Sequence, residues 1–424
     1  MPDRYGRARV LDRAVPPVRV GLGIVTSCAL AAPAVTTLFA VLLLSSGAAQ
    51  FHTGPGVTPT TITLGLEDQA NSFSTDEENL GFRLAFEEAN QAGPIQGRTI
   101  AWKGYPRKGG DAAAEAIANA KRLVDEDGVL ALVNWGGPQS IALLAFTAGR
   151  RVPYLFPHTA LISSEGQRYL FTSFPRFEGE AAVMFPYLAR QRKLTRIGIV
   201  HDVNEYGRLF LNRLNALATP SGYTVVGALP IDSREPGDIT AGLKRLVDAG
   251  ATAIVMALYP AQAKKVVEAK GALGWRDTLV STGPLTDEQY LNGPGNHANG
   301  ALGFCYYPDP DTSSEPGVVA YRAAMARHHP GRPGNRYSLY GYVYGRLVVE
   351  GLRRAGRDLT RERLVDALES IRGWDAGGTM PPVSFSATDH HAQPAGFVCE
   401  LDGGRFKALS GWIEPGAAAP QPIR

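Results

Sequence analysis

The sequence lacks every short pattern that would declare a common enzyme. No G-x-G-x-x-G follows the first strand-like segment, no G-x-x-x-x-G-K-[ST] occurs, and G-x-S-x-G is absent. These gaps exclude the usual dinucleotide turn, the nucleotide phosphate loop and the hydrolase nucleophile elbow, each of which needs its glycines for close backbone approach. The eight histidines are His52, His158, His201, His297 and the pairs His328–His329 and His390–His391. None has H-E-x-x-H or another metal-ligand spacing, and both pairs read as solvated loop residues. His201–Asp202 ends a strand-like run, but no nucleophile accompanies it. The acidic run Asp76–Asn79 reads as the cap of a helix N-terminus rather than as a carboxylate dyad.

A basic surface is missing too. The chain holds 43 Lys and Arg against 40 Asp and Glu, and five of the Arg with two of the Asp lie in the first fifty residues. The remainder is formally neutral, which excludes an electrostatic footprint for nucleic acid. Charge is absent altogether from Val20 to Gln50, directly after an arginine-rich segment. A basic stretch followed by an apolar one is an export signal or a membrane anchor, and "SSGAAQF" offers a cleavage site near Ala48–Ala49. "VTSC" resembles a lipoprotein box in which Cys28 would be acylated. Every version puts the rest of the chain outside the cytoplasm. There, Cys305 and Cys399 form either one disulfide or two separate buried thiols.

What the sequence does have is a regular alternation. "TITLGL", "RTIAWKGY", "VLALVNW" and "VPYLFP" read as strands, separated by helices such as "LGFRLAFEEANQAG" and "DAAAEAIANAKRLVDEDG". The scheme repeats with strands "RIGIVHD", "YTVVGALPI", "AIVMAL" and "TLVSTG" and the helices between them. Short apolar strands alternating with helices predict parallel sheets covered on both faces, so the expectation is an α/β protein with two doubly wound lobes. Beyond them lie the strand-like "GALGFCYYPDP", three helices, and "AGFVCELDGGRFKAL", a hairpin with a Gly-Gly turn. Elements left over after two lobes predict that the chain passes back between them through a hinge. The expected divisions are a leader at 1–50, a spacer at 51–60, first-lobe parts at 61–173 and 305–380, a second lobe at 174–304, a returning hinge strand and hairpin at 381–415, and a tail at 416–424.

In doubly wound sheets, ligands bind beyond the carboxyl ends of strands. Those ends here are "DQANSF", "NWGGPQS", "FPHTA", "HDVNEYG", "LYPAQ" and "TGPLTD". They supply aromatics, glycines, hydroxyls and amides but almost no catalytic groups, which predicts a binding pocket without catalysis.

In order and spacing, "LGFRLAFEEANQAGPIQGRTI", "RRVPYLFPHTA", "RIGIVHDVNEYGR", "LKRLVDAGATAIV", "YPDP" and "YGYVYGRLVVEGLRRAGRDLTRERLVDAL" resemble the extracytoplasmic solute-binding proteins of the branched-chain amino-acid-binding type. The likeness runs from about Thr61 to Trp412. It implies two lobes joined by three crossings, closure over a small-molecule ligand, and delivery to an ABC permease by a monomeric protein without cofactor, metal or nucleic acid. It also assigns the ligand site. Trp135, Gly136, Gly137, Gln139 and Ser140 would receive a ligand carboxylate through loop N–H groups, with His158, Thr159 and Ala160 as a second loop. Phe73 and Ser74 match a further contact, and Tyr206 and Tyr259 match aromatics that fold down from the second lobe.

The chain departs from the family pattern at Leu285, where many amino-acid binders place a Glu for the ligand ammonium, and at Trp135, in a loop that is otherwise small. The expected ligand is therefore a carboxylate- or carbonyl-bearing apolar or aromatic compound, ahead of a branched-chain amino acid. A membrane-anchored sensor of the same fold is the alternative, and an exported hydrolase using His201–Asp202 or His158 a more distant one.

Overall fold

The computed structural model describes residues 53–416, apart from 69–71, 109–111, 138, 233–234, 236 and 288–296. The leader with Cys28, together with His52 and Pro138, lies outside the described residues.

Five parallel strands form the first sheet: β1 (Thr61–Leu66), β2 (Thr99–Lys103), β3 (Leu132–Val133), β4 (Tyr154–Leu155) and β5 (Leu170–Phe171). Their spatial order is β2-β1-β3-β4-β5. Alternating Ile62, Leu64 and Leu66 are buried, as expected where helices cover a parallel sheet. The second sheet holds β6 (Arg196–Asp202), β7 (Thr224–Ile231), β8 (Ala253–Ala257), β9 (Thr278–Ser281), β10 (Leu302–Cys305), β11 (Phe397–Asp402) and β12 (Arg405–Ala408). Its order is β12-β11-β10-β9-β8-β6-β7, parallel from β7 to β10 and antiparallel beyond. Gly403 and Gly404 turn the last hairpin with φ of 58° and 80°, a left-handed pair that only glycine adopts without strain.

Three segments cross between the sheets: 172–176, 306–315 and 386–396. They are tied side by side. Thr172 N–H donates to His390 O at 3.0 Å, Ala392 N–H donates to Thr172 O at 2.9 Å, and the Tyr307 hydroxyl donates to Gln393 Oε1 at 2.8 Å. Cys305 and Cys399 are bonded, with their Cα atoms 6.0 Å apart, pinning β10 to β11 where two of the crossings meet the second sheet. The pair His390–His391 belongs to this hinge, not to a solvated loop. His390 is 2% exposed and stacks on Phe171 at 4.1 Å. His391 Nε2 bonds Phe174 O at 2.6 Å, and burial holds its pKa below the usual imidazole value. Nor is the pair His328–His329 solvated loop: it ends a helix beside Glu87, at 3.7 and 3.5 Å.

Two long helices carry the first lobe's inner face: α1 (Phe73–Ala92) and the helix Arg336–Ala355, labelled α10 by its order among the α-helices of the described residues. Here the structure corrects the sequence reading. The acidic run does not cap a helix beginning near Leu80, because α1 starts at Phe73 and takes Glu77, Glu78 and Asn79 into its buried face. Tertiary partners make that burial tolerable. Arg332 and Asn335 donate to Glu77 at 2.6 and 2.8 Å, His158 contacts Glu78, and Asn79 accepts from Asn134 at 3.0 Å. The two helices touch backbone to backbone: a Cβ at Gly81 would stand 2.1 Å from Ser338 O, and one at Gly341 would stand 2.0 Å from Glu78 O. Gly341→Ala should therefore destabilise the fold by about 1–3 kcal/mol, the usual range for overpacking. Urea unfolding checks this, and an unchanged midpoint would contradict so close a crossing.

Candidate functional site

The carboxyl ends of both sheets and the hinge surround one cavity of about 550 Å³. The first lobe contributes Phe73–Thr75 from the start of α1, Gly136, Gly137 and Gln139 after β3, and His158–Leu161 after β4. The second contributes Asn204 after β6, Tyr259 and Pro260 after β8, and Gly283, Pro284, Thr286 and Asp287 after β9. The hinge and α10 supply Phe174, Phe177, Tyr306, Tyr307, Arg336, Tyr337 and Tyr340.

Aromatic rings form the floor, and their hydroxyls are engaged elsewhere. Tyr306 donates to Glu180 Oε2 at 2.6 Å, Tyr307 donates to Gln393, and Tyr340 donates to Ser173 Oγ at 2.5 Å. Phe174 stacks on Tyr340 at 4.3 Å with 10° between the planes. With hydroxyls turned away, these tyrosines offer ring faces, and the floor they form is apolar. Two aromatics stay exposed at the rim, one from each lobe: Phe73 at 45% and Tyr259 at 41%.

Three buried carboxylates back this wall. Glu67 Oε2 accepts from Gly136 N–H at 3.0 Å and Oε1 faces Arg107 at 3.2 Å, yet burial still raises its pKa. Glu78, fully buried, is raised by the same desolvation against the opposing effect of His158. Glu180 accepts from Gly283 N–H at 2.8 Å as well as from Tyr306, and burial pushes it up to about 8.

Of the residues singled out in the sequence, the structure brings Phe73, Ser74, Gly136, Gly137, Gln139, His158, Thr159, Ala160 and Tyr259 to the cavity wall. It does not bring Trp135, Ser140, Tyr206 or Leu285 there. Trp135 is fully buried with Leu143, Tyr154 and Ile162, because the outer face of the sheet needs a large apolar side chain. It therefore says nothing about the ligand. The Ser140 hydroxyl bonds back to Trp135 O at 2.6 Å, and Leu285 fills the second lobe's core. Tyr206 sits one layer back, its hydroxyl 2.5 Å from Thr282 Oγ1 and its ring against Phe177 and Tyr259.

The loop 134–140 also differs from expectation. Its glycine N–H groups are not free for a ligand carboxylate: Gly136 donates to Glu67, and Gly137 to His158 O at 3.1 Å. Gly137 nevertheless needs its φ of 59°, where a side chain would be strained. His201–Asp202 is not an acid–base pair. His201 is 5% exposed, and Asp202 accepts from Gln262 Nε2 at 2.6 Å and from Asn204 N–H at 3.0 Å. Sequence reasoning passed over Tyr306, Tyr307, Arg336, Tyr337 and Tyr340. The signals available were the tyrosine pair in "FCYYPDP" for Tyr306 and Tyr307, and the tyrosine spacing in "RYSLYGYVYG" for the rest.

Comparison with known proteins supplies the class. Residues 70–405 match the family model described as periplasmic binding protein. A Leu/Ile/Val-binding protein homolog of Brucella melitensis is 22% identical over 342 residues, which is 79% of this chain and 89% of the relative. Two solved structures share the fold. A fatty acid ABC transporter substrate-binding protein from Thermomonospora curvata has a TM-score of 0.73 at 21% identity, over 86% of this chain and 95% of that one. A branched chain amino acid ABC transporter protein from Thermus thermophilus, with bound valine, has a TM-score of 0.71 at 18% identity, over 85% and 98%. With an aromatic cavity between two doubly wound lobes and a family match over most of its length, this chain belongs to the periplasmic binding protein family.

Proposed function

We propose that this protein captures a small apolar or aromatic compound bearing a carboxylate or carbonyl, outside the cytoplasm, and presents it to an ABC permease without chemically changing it. The observation that carries this reading is the cavity floor, whose tyrosine hydroxyls bond into the protein and leave ring faces for an apolar ligand body. Walls drawn from both lobes mean that a ligand contacts both at once, so its binding energy shifts the equilibrium toward the closed form. The two solved relatives are named for fatty acid and hold valine, respectively, and both compounds join a carboxylate to an apolar body. A branched-chain amino acid is the second reading. Asp287 favours it, since this acidic residue is among those lining the cavity, two residues beyond Leu285.

A thermal-shift screen of the purified protein against aliphatic acids, aromatic acids, amides and amino acids tests both. A ligand at a hundred times its Kd should stabilise the protein by about 2.7 kcal/mol through mass action. Leucine or valine giving the largest shift would select the second reading. No shift from any class, together with turnover of esters or amides, would overturn the binding function. Gly137→Val should abolish the shift while leaving the unliganded protein folded, because the strain falls on the cavity wall; a retained shift would remove this loop from the site.

A further inference from the structure

We propose that His158, oriented by the buried carboxylate of Glu78, is the hydrogen-bond donor that anchors the ligand's carboxylate or carbonyl oxygen. The proposal rests on the cavity being the ligand site and names the group that reads the ligand's polar end. His158 lies after β4 and Glu78 in the second turn of α1, held beside the ring by the close crossing of α1 and α10. The imidazole Nδ1 contacts Glu78 Oε1 and is inaccessible to solvent, whereas the ring keeps 23% exposure and lines the cavity. Its outward edge is therefore the one carrying Nε2, which hydrogen-bonds nothing among the described residues. Phe174, Tyr337 and Tyr340 surround the ring with centroids at 5.1, 6.1 and 6.3 Å.

The role of Nε2 follows from the charge of the pair. If the proton rests on the imidazole, Glu78 is an anion, the ring is a cation, and Nε2–H donates. If it rests on the carboxyl, Nδ1 accepts and the neutral ring again carries its hydrogen on Nε2. Only an anionic Glu78 beside a neutral ring protonated at Nδ1 would make Nε2 an acceptor, and that state leaves a fully buried carboxylate without a countercharge. Nε2 is thus a donor in both states in which the pair holds two protons, whichever partner carries the shared one. The other titratable groups near the ring are Glu67, already neutralised by Arg107, and the Tyr337 and Tyr340 phenols. Among the other donors at the wall, the Gly136 and Gly137 N–H groups are spent, and Arg336, 7% exposed, turns Nη1 to Tyr307 O at 2.7 Å and Nη2 to Phe406 O at 3.5 Å.

Calorimetric titration with three matched pairs tests this: hexanoate with hexanol, phenylpropanoate with phenylpropanol, and leucine with leucinol. For at least one pair, the purified protein should bind the acid about 10- to 100-fold more tightly than the alcohol, the range of one charge-assisted hydrogen bond. His158→Phe, which keeps the packing and loses the donor, should bring the two affinities together while alcohol binding persists. The double variant Glu78→Leu/His158→Phe should behave alike and avoids stranding a buried carboxylate. A preserved ratio in either variant, or a ratio abolished by Thr159→Val instead, would overturn the proposal. Equal affinity of wild type for acid and alcohol would overturn it while leaving the cavity as the ligand site. Binding of none of the six compounds, with no shift in the thermal screen, would remove both.

Discussion

Alanine at both Cys305 and Cys399 should lower the melting temperature by about 5–10 °C. The bond joins residues 94 apart in sequence, and a loop of that length gives up about 4–5 kcal/mol of chain entropy in the unfolded state when it is closed. Native geometry carries little counterweight. Cys305 and Cys399 lie on adjacent antiparallel strands, where Cys305 pairs with Phe397 and Gly303 with Cys399, so the bond spans one diagonal of an existing ladder. The enclosed stretch is the whole excursion of the chain back to the first lobe, including α10 and the tyrosines of the cavity floor. Loss of the bond should therefore loosen the return path while the strand ladders persist. Calorimetric melting of parent and double variant, each with and without reductant, decides the matter. Equal melting temperatures throughout would show two separate thiols in the native protein.

Much of this architecture was readable because parallel strands buried on both faces leave unbroken apolar runs. Thr61–Leu66 and Arg196–Asp202 were read residue for residue. Elements set by tertiary pairing were not readable. Leu170–Phe171 is two residues long and exists as a strand only because it bonds alongside Tyr154–Leu155. The start of α1 was hidden for a related reason: its acidic residues are buried against partners that arrive from as far away as Arg332 and Asn335. Loops at strand ends marked the cavity's rim, since the doubly wound topology dictates where they point. Topology does not say which side chain of such a loop faces the cavity and which faces the core. Trp135 and Gly136 are neighbours in sequence, yet one fills the sheet's outer layer and the other lines the cleft. The floor came from a part of the chain more than a hundred residues beyond the first loop, where Tyr306 and Tyr307 follow β10 and Tyr340 sits on α10.

Glu180→Gln should stabilise the protein in alkali and do almost nothing in acid. Glu180 is fully buried behind the cavity, with Gly283 N–H on one oxygen and the Tyr306 hydroxyl on the other, and no cation is among the groups that shift it. Those two hydrogen bonds favour the anion, but desolvation outweighs them and raises the pKa from 4.5 to about 8. In the unfolded chain the carboxyl loses its proton near the ordinary value, so between these limits the native state holds one proton more than the unfolded state. Stability must then fall as pH rises through that window and level off above it, by on the order of 4 kcal/mol in total. Glutamine copies the protonated form: its carbonyl can accept from Gly283 and its amide can donate to the Tyr306 oxygen. Urea midpoints of the two proteins should therefore nearly coincide at about pH 5 and separate, with the variant the more stable, by about pH 9. Parallel curves would mean that Glu180 is ionised throughout, stabilised by its two donors alone. The geometry extends the consequence to the ligand site, because Tyr306 lies directly over Gly283: a Cβ there would stand 1.6 Å from the phenol oxygen. Ionising Glu180 tightens both of its hydrogen bonds but places a negative charge behind the wall that faces the ligand's carboxylate, so affinity for an anionic ligand should weaken over the same alkaline range in the parent and stay flat in the variant.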